Sequence, residues 1–184
     1  MSTKVQEMPE AAKLKYSRQC IAAAEQCALS DDFAGALKEY LRYLRVHRRS
    51  ADAWSNVGCC LISLGRMHSA MRCFRAACQL EHHEVHYSYL AFCLQCLGRV
   101  KHAIRFYKVA LEINPEHRDS LNNLLLLCLG DRRRTKQTPA VAKQLLNLLE
   151  PGSDEYARVI RQLQAHGIRS QLSLVDNKKQ RHSR

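Results

Sequence analysis

The chain has 184 residues, 25% charged and 46% hydrophobic, with a formal net charge of +12. That length and balance describe one domain's worth of soluble, globular protein with a real core. The longest unbroken apolar run, Leu124 to Leu129, is too short to span a bilayer; no apolar segment follows Lys4 as in a secretory signal; and nine cysteines without such a signal imply free thiols in a reducing, cytoplasmic setting.

Residues 1–9 read as a flexible N-terminus, and a helical domain is expected over 10–167. From Pro9 a helix is expected to Leu29, followed by Ser30-Asp31-Asp32 as a turn and N-cap for a second helix. The next stretch sets the organisation. Trp54, Val57-Gly58, Leu61, Leu64-Gly65-Arg66, Ala70, Phe74, Ala77 and Leu80 are answered by Tyr87, Leu90-Ala91, Leu94, Leu97-Gly98-Arg99, Ala103, Tyr107, Ala110 and Ile113. Gly65 to Gly98, Ala70 to Ala103, Phe74 to Tyr107 and Ala77 to Ala110 all span the same interval, which is an internal repeat. A weaker copy lies one period upstream, where Asp31, Phe33, Ala36 and Tyr40 stand for Gly65, Met67, Ala70 and Phe74. The repeats are expected over about 17–50, 51–83 and 84–117, with Ser50 as a cap and Pro115 as a stop.

A fourth first helix is expected from Arg118 to Leu129, with Asp119 favouring its N-terminal dipole and its last six residues buried on all sides. The period then fails. A basic loop at 131–136 leads to Thr138-Pro139, read as an N-cap with proline at the first helical position. That helix carries Val141, Leu145, Leu146, Leu148 and Leu149, and the 118–149 span reads as a degenerate fourth repeat. Ser153 is expected to cap a last helix over 154–166, which buries Tyr156, Val159, Ile160 and Leu163 by spacing, and Gly167 ends it. Residues 168–184 read as a basic, disordered tail.

This order of types — aromatic, small residue, Leu-Gly turn, Ala, aromatic, Ala, Pro — resembles the tetratricopeptide repeat, two antiparallel helices per unit of about 34 residues. The resemblance implies an all-α fold, a helical-hairpin solenoid of three repeats plus a degenerate fourth and a capping helix. Gly58 and Ala91 would let the paired helix approach, and Gly65 and Gly98 would supply the positive φ that ends a first helix. In that architecture the first helices line a concave face. Placed on this sequence, the lining includes Ile21, Ala22, Glu25 and Ala28; Ser55, Asn56, Cys59 and Ile62; Ser88, Tyr89, Phe92 and Gln95; and Asn122, Asn123 and Leu126. The residues expected to hold a partner are Ile21, Asn56, Cys59, Ile62, Tyr89, Phe92, Asn123 and Leu126, an apolar trough with amides that can bond a guest backbone.

Some members of the family clamp acidic C-terminal tails of heat-shock chaperones with Lys, Asn and Arg. Of those positions only Asn56 matches; the others hold Arg18, Ala22, Val85 and Tyr89. A less acidic, more apolar guest is therefore expected. Gly58-x-Cys60-Leu61-x-x-Leu64-Gly65 and Ala91-x-Cys93-Leu94-x-x-Leu97-Gly98 are also similar to the translocator chaperones of type III secretion, which hold an apolar segment until export. That family is usually acidic and stops soon after its third repeat; this chain is basic and continues well past Pro115.

Other chemistry is weakly marked. Cys93 and Cys96 have the spacing of a metal or redox pair, yet both fall in a predicted helix interior, and Cys60 holds the position of Cys93 one repeat earlier; small core residues are expected. His82, His83 and His86, with Glu81 and Glu84 nearby, read as a polar turn and not a metal site. No glycine-rich phosphate loop or nucleophile elbow occurs, so neither an enzyme nor a cofactor is expected. Arg132-Arg133-Arg134 with Lys136, and Lys178-Lys179-Gln180-Arg181, lack interleaved aromatics and read as a solvated loop and tail, with nucleic acid as the alternative partner.

Overall fold

The computed structural model describes residues 8–130 and 137–168. Among them the order is α1 (Glu10–Leu29), α2 (Phe33–Leu44), α3 (Ala51–Ser63), α4 (Met67–Leu80), α5 (Glu84–Cys96), α6 (Val100–Ile113), α7 (Arg118–Leu129), α8 (Thr138–Leu148) and α9 (Asp154–Ala165), with no strand. The chain divides into two compact units, one ending at Ala103 and one beginning at Ile104, within α6. The expectations for 131–136 and for the tail from 169 onward lie outside the described residues, as do residues 1–7 of the N-terminus.

In the first unit each helix packs on the next, α1 on α2 through α4 on α5. The same closure ends α1, α3 and α5. After α3, the Gly65 N–H donates to the Ile62 carbonyl at 2.9 Å and the Arg66 N–H to Leu61 at 2.8 Å. After α5, Gly98 and Arg99 bond Gln95 and Leu94 at the same two distances. This double bond needs a left-handed residue, and both glycines have φ of +72°. After α1, Asp31 fills the place with φ of +58° while the Asp32 N–H donates to Cys27 at 2.8 Å. An aspartate tolerates that conformation better than most side chains, at some cost. Gly167 closes α9 in the same way, φ +74°, with the Ile168 N–H on Leu163.

The hairpins open on polar caps. The Gly35 N–H donates to Asp32 Oδ1 at 2.8 Å, the Ala53 N–H to Ser50 Oγ at 3.2 Å and the Tyr156 N–H to Ser153 Oγ at 3.2 Å. His83 and His117 serve as well: Nδ1 of each accepts a backbone N–H, from Val85 at 3.3 Å and Ser120 at 3.2 Å. Thr138 is not the cap it was expected to be. Gln137 holds that position without a side-chain cap bond, and Thr138 is the fully buried first residue of α8.

The centre of the first unit is an interlock between α3 and α4. Ala70, Phe74 and Ala77 of α4 are all fully buried. Gly58 of α3 faces the Phe74 ring so closely that a Cβ built there would lie 2.7 Å from two ring carbons. In the second unit, Leu121, Leu125, Ala142, Leu145, Leu146, Leu149, Val159 and Leu163 form one core, with Tyr156 and Ile160 packed at its edge. The apolar run of α7 is not buried on all sides: Leu124, Leu125 and Cys128 are inside, while Leu126 is 39% exposed. A step of about 100° per residue turns one of four consecutive leucines outward.

Two substitutions follow from this backbone. Gly58→Ala forces its methyl into the immobile Phe74 ring and is expected to destabilise by about 1–3 kcal/mol in denaturant unfolding. Asp31→Gly relieves the left-handed backbone at an exposed turn, retains the Asp32 cap, and is expected to raise the unfolding midpoint by the equivalent of about 0.5–1 kcal/mol.

Candidate functional site

The candidate face of the first unit is built from α1, α3 and α5. Asn56, Cys59 and Ile62 recur every third residue along α3, so they share one side of that helix. Tyr89 and Phe92 do the same on α5, and Cys96 falls one turn beyond them. Asn56, Cys59, Ile62 and Phe92 are half-buried, Tyr89 is 39% exposed, and Cys96 is exposed. Ile21 of α1 is half-buried as well. By contrast Ser55 and Ser88, expected among the lining, are buried at 6% and 7% and belong to the packed side. In the second unit Asn123 is half-buried and Leu126 exposed, both on α7.

Tyr89 is the best-anchored residue of this face. Its ring stacks on the fully buried Phe74 of α4, centroids 5.0 Å apart and planes 11° from parallel. Its hydroxyl hydrogen-bonds the Cys59 side chain of α3. Burial pushes the Cys59 thiol up, and the Tyr89 hydroxyl opposes that rise by stabilising the thiolate. One exposed aromatic is thus held from two other helices. An offset stacked pair of this kind contributes about 0.5–1.5 kcal/mol beyond area burial.

The cysteines divide by environment. Cys60 and Cys93 are buried at equivalent positions, as expected of core residues. Cys96 is not core: it closes α5 in contact with solvent. Burial raises the Cys93 thiol to about 12 and Cys78 to about 12, which removes both from thiolate chemistry at neutral pH. Cys93 therefore has the opposite of a redox cysteine's setting.

The histidines divide too. His82 Nδ1 lies 2.8 Å from the Tyr87 hydroxyl, and His83 caps α5, so these two make the polar turn expected. His86 does not. It is 3% exposed, in the first turn of α5, at the position that Ala53 holds in the preceding repeat. Neither ring nitrogen has a hydrogen-bond partner. Burial holds its pKa below the ordinary histidine range, as does His83, while Glu81, Asp52 and Glu84 oppose. An unsatisfied buried polar group costs about 1–3 kcal/mol.

A basic cluster that run-by-run reading of charge passes over stands between α2 and α3. Arg45, Arg48 and Arg49 are all exposed there, together with His47. The Trp54 indole N–H donates to the Arg48 carbonyl at 3.0 Å and fixes the turn.

Comparison with known proteins places this geometry. Residues 51–81, which are α3, its glycine turn and α4 to its C-cap, match the family model of the tetratricopeptide repeat. No curated protein matches the sequence. Among solved structures, MamA aligns with a TM-score of 0.71 at 15% identity, covering 89% of this chain and 90% of that one. YrrB, described as a tetratricopeptide-repeat protein with an unusual peptide-binding site, aligns at 0.66 with 15% identity over 83% of this chain and 78% of its own. The first repeat domain of Spaghetti (RPAP3), bound to the HSP90 peptide SRMEEVD, aligns at 0.60 with 14% identity over 63% and 93%. This chain carries a tetratricopeptide repeat and has the all-α helical-hairpin fold of the proteins built from it.

The thiol environments give a direct check. Brief alkylation of the native protein at neutral pH, read by peptide mass spectrometry, is expected to modify Cys96 first. Cys78 and Cys93 should react only after unfolding.

Proposed function

We propose that this chain is a non-enzymatic protein-interaction scaffold whose α1, α3 and α5 face holds an apolar segment of a partner polypeptide. The observation that carries the reading is Tyr89. It is a large aromatic, 39% exposed, locked on a buried ring and tied by its hydroxyl to the preceding first helix. A side chain that has already lost its rotational freedom gives up little more on binding, which is what makes a rigid aromatic a good anchor. Ile62 and Phe92 extend the apolar surface, and Asn56 offers an amide that can donate to and accept from a guest backbone. Ile21 on α1 is the further contact we assign to the partner on this face; Asn123 and Leu126, on α7 of the second unit, are partner contacts we assign to that unit by itself.

The relatives support the class of task. The Spaghetti domain binds a peptide with two adjacent glutamates and a terminal aspartate, and YrrB is described by its peptide-binding site. The present face differs in the chemistry it offers. Ala22 and Tyr89 stand where a clamp for an acidic tail would use polar or basic groups. That favours a guest with apolar anchors over an acidic one. A free-thiol chain with no helix, among the described residues, long and apolar enough to cross a membrane suits a cytoplasmic setting.

The narrower reading, a chaperone for a secreted translocator, leans on the Gly58-x-Cys60-Leu61 and Ala91-x-Cys93-Leu94 motifs. All six of those residues are buried, and Gly58 serves the Phe74 interlock. The motifs are accounted for by hairpin packing, so they support the fold more than the identity of the guest. A second reading, a basic adaptor that contacts nucleic acid, draws on the exposed Arg45, Arg48 and Arg49.

Affinity capture from the source cells with the intact chain, followed by titration of the captured partner, tests the groove. Tyr89→Ala and Phe92→Glu are each expected to weaken binding by about thirtyfold or more, the size of a hot-spot loss. Binding should change little between about 50 and 200 mM salt, whereas phosphate-driven binding would fall by orders of magnitude. Partner affinity unchanged in both variants would place the site elsewhere.

A further inference from the structure

We propose that Asp52, Glu81 and His86 form a binding site for a divalent transition-metal ion of the zinc class. The three come from separate parts of the first unit. Asp52 is in the first turn of α3, Glu81 is the residue that follows α4, and His86 is in the first turn of α5. One ligand atom from each lies within 4.8 Å of the other two. His86 Nε2 lies 4.0 Å from Glu81 Oε2.

Two exposed carboxylates alone would mean little. The buried imidazole is what points to a ligand. Its side chain is 4% exposed, neither nitrogen has a hydrogen-bond partner, and Nε2 lies 4.0 Å from the Glu81 carboxylate, beyond hydrogen-bond reach. The preceding repeat fills the same position with Ala53, so packing does not demand a histidine there. Asp52 and Glu81 have no counterparts at the next junction either: Val85 and Asn114 hold the equivalent positions one repeat on. Acid, acid and imidazole occur together only where they face one another.

The donor set names the class of ion. Imidazole suits zinc, nickel, copper and iron; carboxylates alone would suit magnesium or calcium. One nitrogen and two carboxylate oxygens, with a water on the open side, make a four-coordinate site of the kind zinc accepts. Ligand atoms about 2.0–2.2 Å from such an ion stand about 3.4 Å apart in a tetrahedron. Asp52 and Glu81 are exposed and can close the remaining gap by side-chain rotation against a fixed imidazole. His83, whose ring centroid is 5.4 Å from that of His86, already spends its Nδ1 on the Val85 N–H. A bound ion would tie the start of α3, the end of α4 and the start of α5 into one junction, on the helix that presents Tyr89.

The test is zinc titration of the full-length, fully reduced protein by calorimetry, beside His86→Ala, Glu81→Gln and Cys96→Ser. Wild type is expected to take up one equivalent that His86→Ala and Glu81→Gln each weaken at least about tenfold and Cys96→Ser leaves unchanged. Cobalt substituted at that site should show ligand-field bands without thiolate charge transfer. Should His86→Ala fold poorly, Glu81→Gln still decides, because Glu81 is exposed and outside the helices. Absence of tight uptake by wild type, equal uptake by wild type and Glu81→Gln, or a thiolate band lost in Cys96→Ser would each overturn the site.

Discussion

The contact between Gly58 and Phe74 is where this structure begins. A residue with no Cβ on α3 leaves a space that the Phe74 ring fills from α4, and the ring is then fully buried between Ala70 and Ala77, one turn to either side. Removing a buried Phe side chain costs about 3–5 kcal/mol in comparable cores, so this one ring is a large share of what holds the hairpin shut. Its outer consequence lies at the surface. The Phe74 ring is also the surface on which Tyr89 stacks, so a hairpin contact inside the second repeat sets the position of an exposed aromatic on the third.

That coupling explains why the repeat register could be read from the residues while much of the surface could not. Glycine, alanine and aromatic positions are fixed by approach distances between helices, and they recur at one interval because the hairpin recurs. Turn chemistry was legible for the same reason: Gly65 and Gly98 meet a backbone demand, and Asp31 falls at their register with the same left-handed φ. The caps were half legible. Ser50, Asp32 and Ser153 are ordinary cap residues, whereas His83 and His117 cap through a ring nitrogen that propensity arguments rank low. Thr138 shows the reverse, a good cap residue that stands fully buried as the first residue of α8.

The candidate face was legible only as a helical side. Counting from the repeat picks out which helices are first helices, but the boundary between an open side and a side packed on a neighbour depends on crossing angles that a period does not contain. Ser55 and Ser88 fall on the buried side of that boundary, and Cys96, which the period leaves at the very end of α5, falls on the open side. Leu126 shows the same limit within an all-apolar run, where no polar neighbour marks the outward turn.

His86 lies beyond pattern reading altogether. Its neighbours in sequence, His82 and His83, make a polar turn, and proximity in the chain suggests that it belongs with them. The first turn of α5 separates it from them, enough to carry the ring from solvent to interior. The partner that gives its burial a chemical sense, Asp52, is a full repeat away in sequence and on another helix. A repeat fold brings such residues together because every junction stacks the start of one first helix beside the start of the next. The alignment that makes equivalent positions recur also puts non-equivalent substitutions at neighbouring junctions face to face. A departure from the repeat, such as a histidine where the previous unit has alanine, is therefore the place where a site specific to one protein can be built without disturbing the hairpins that carry it.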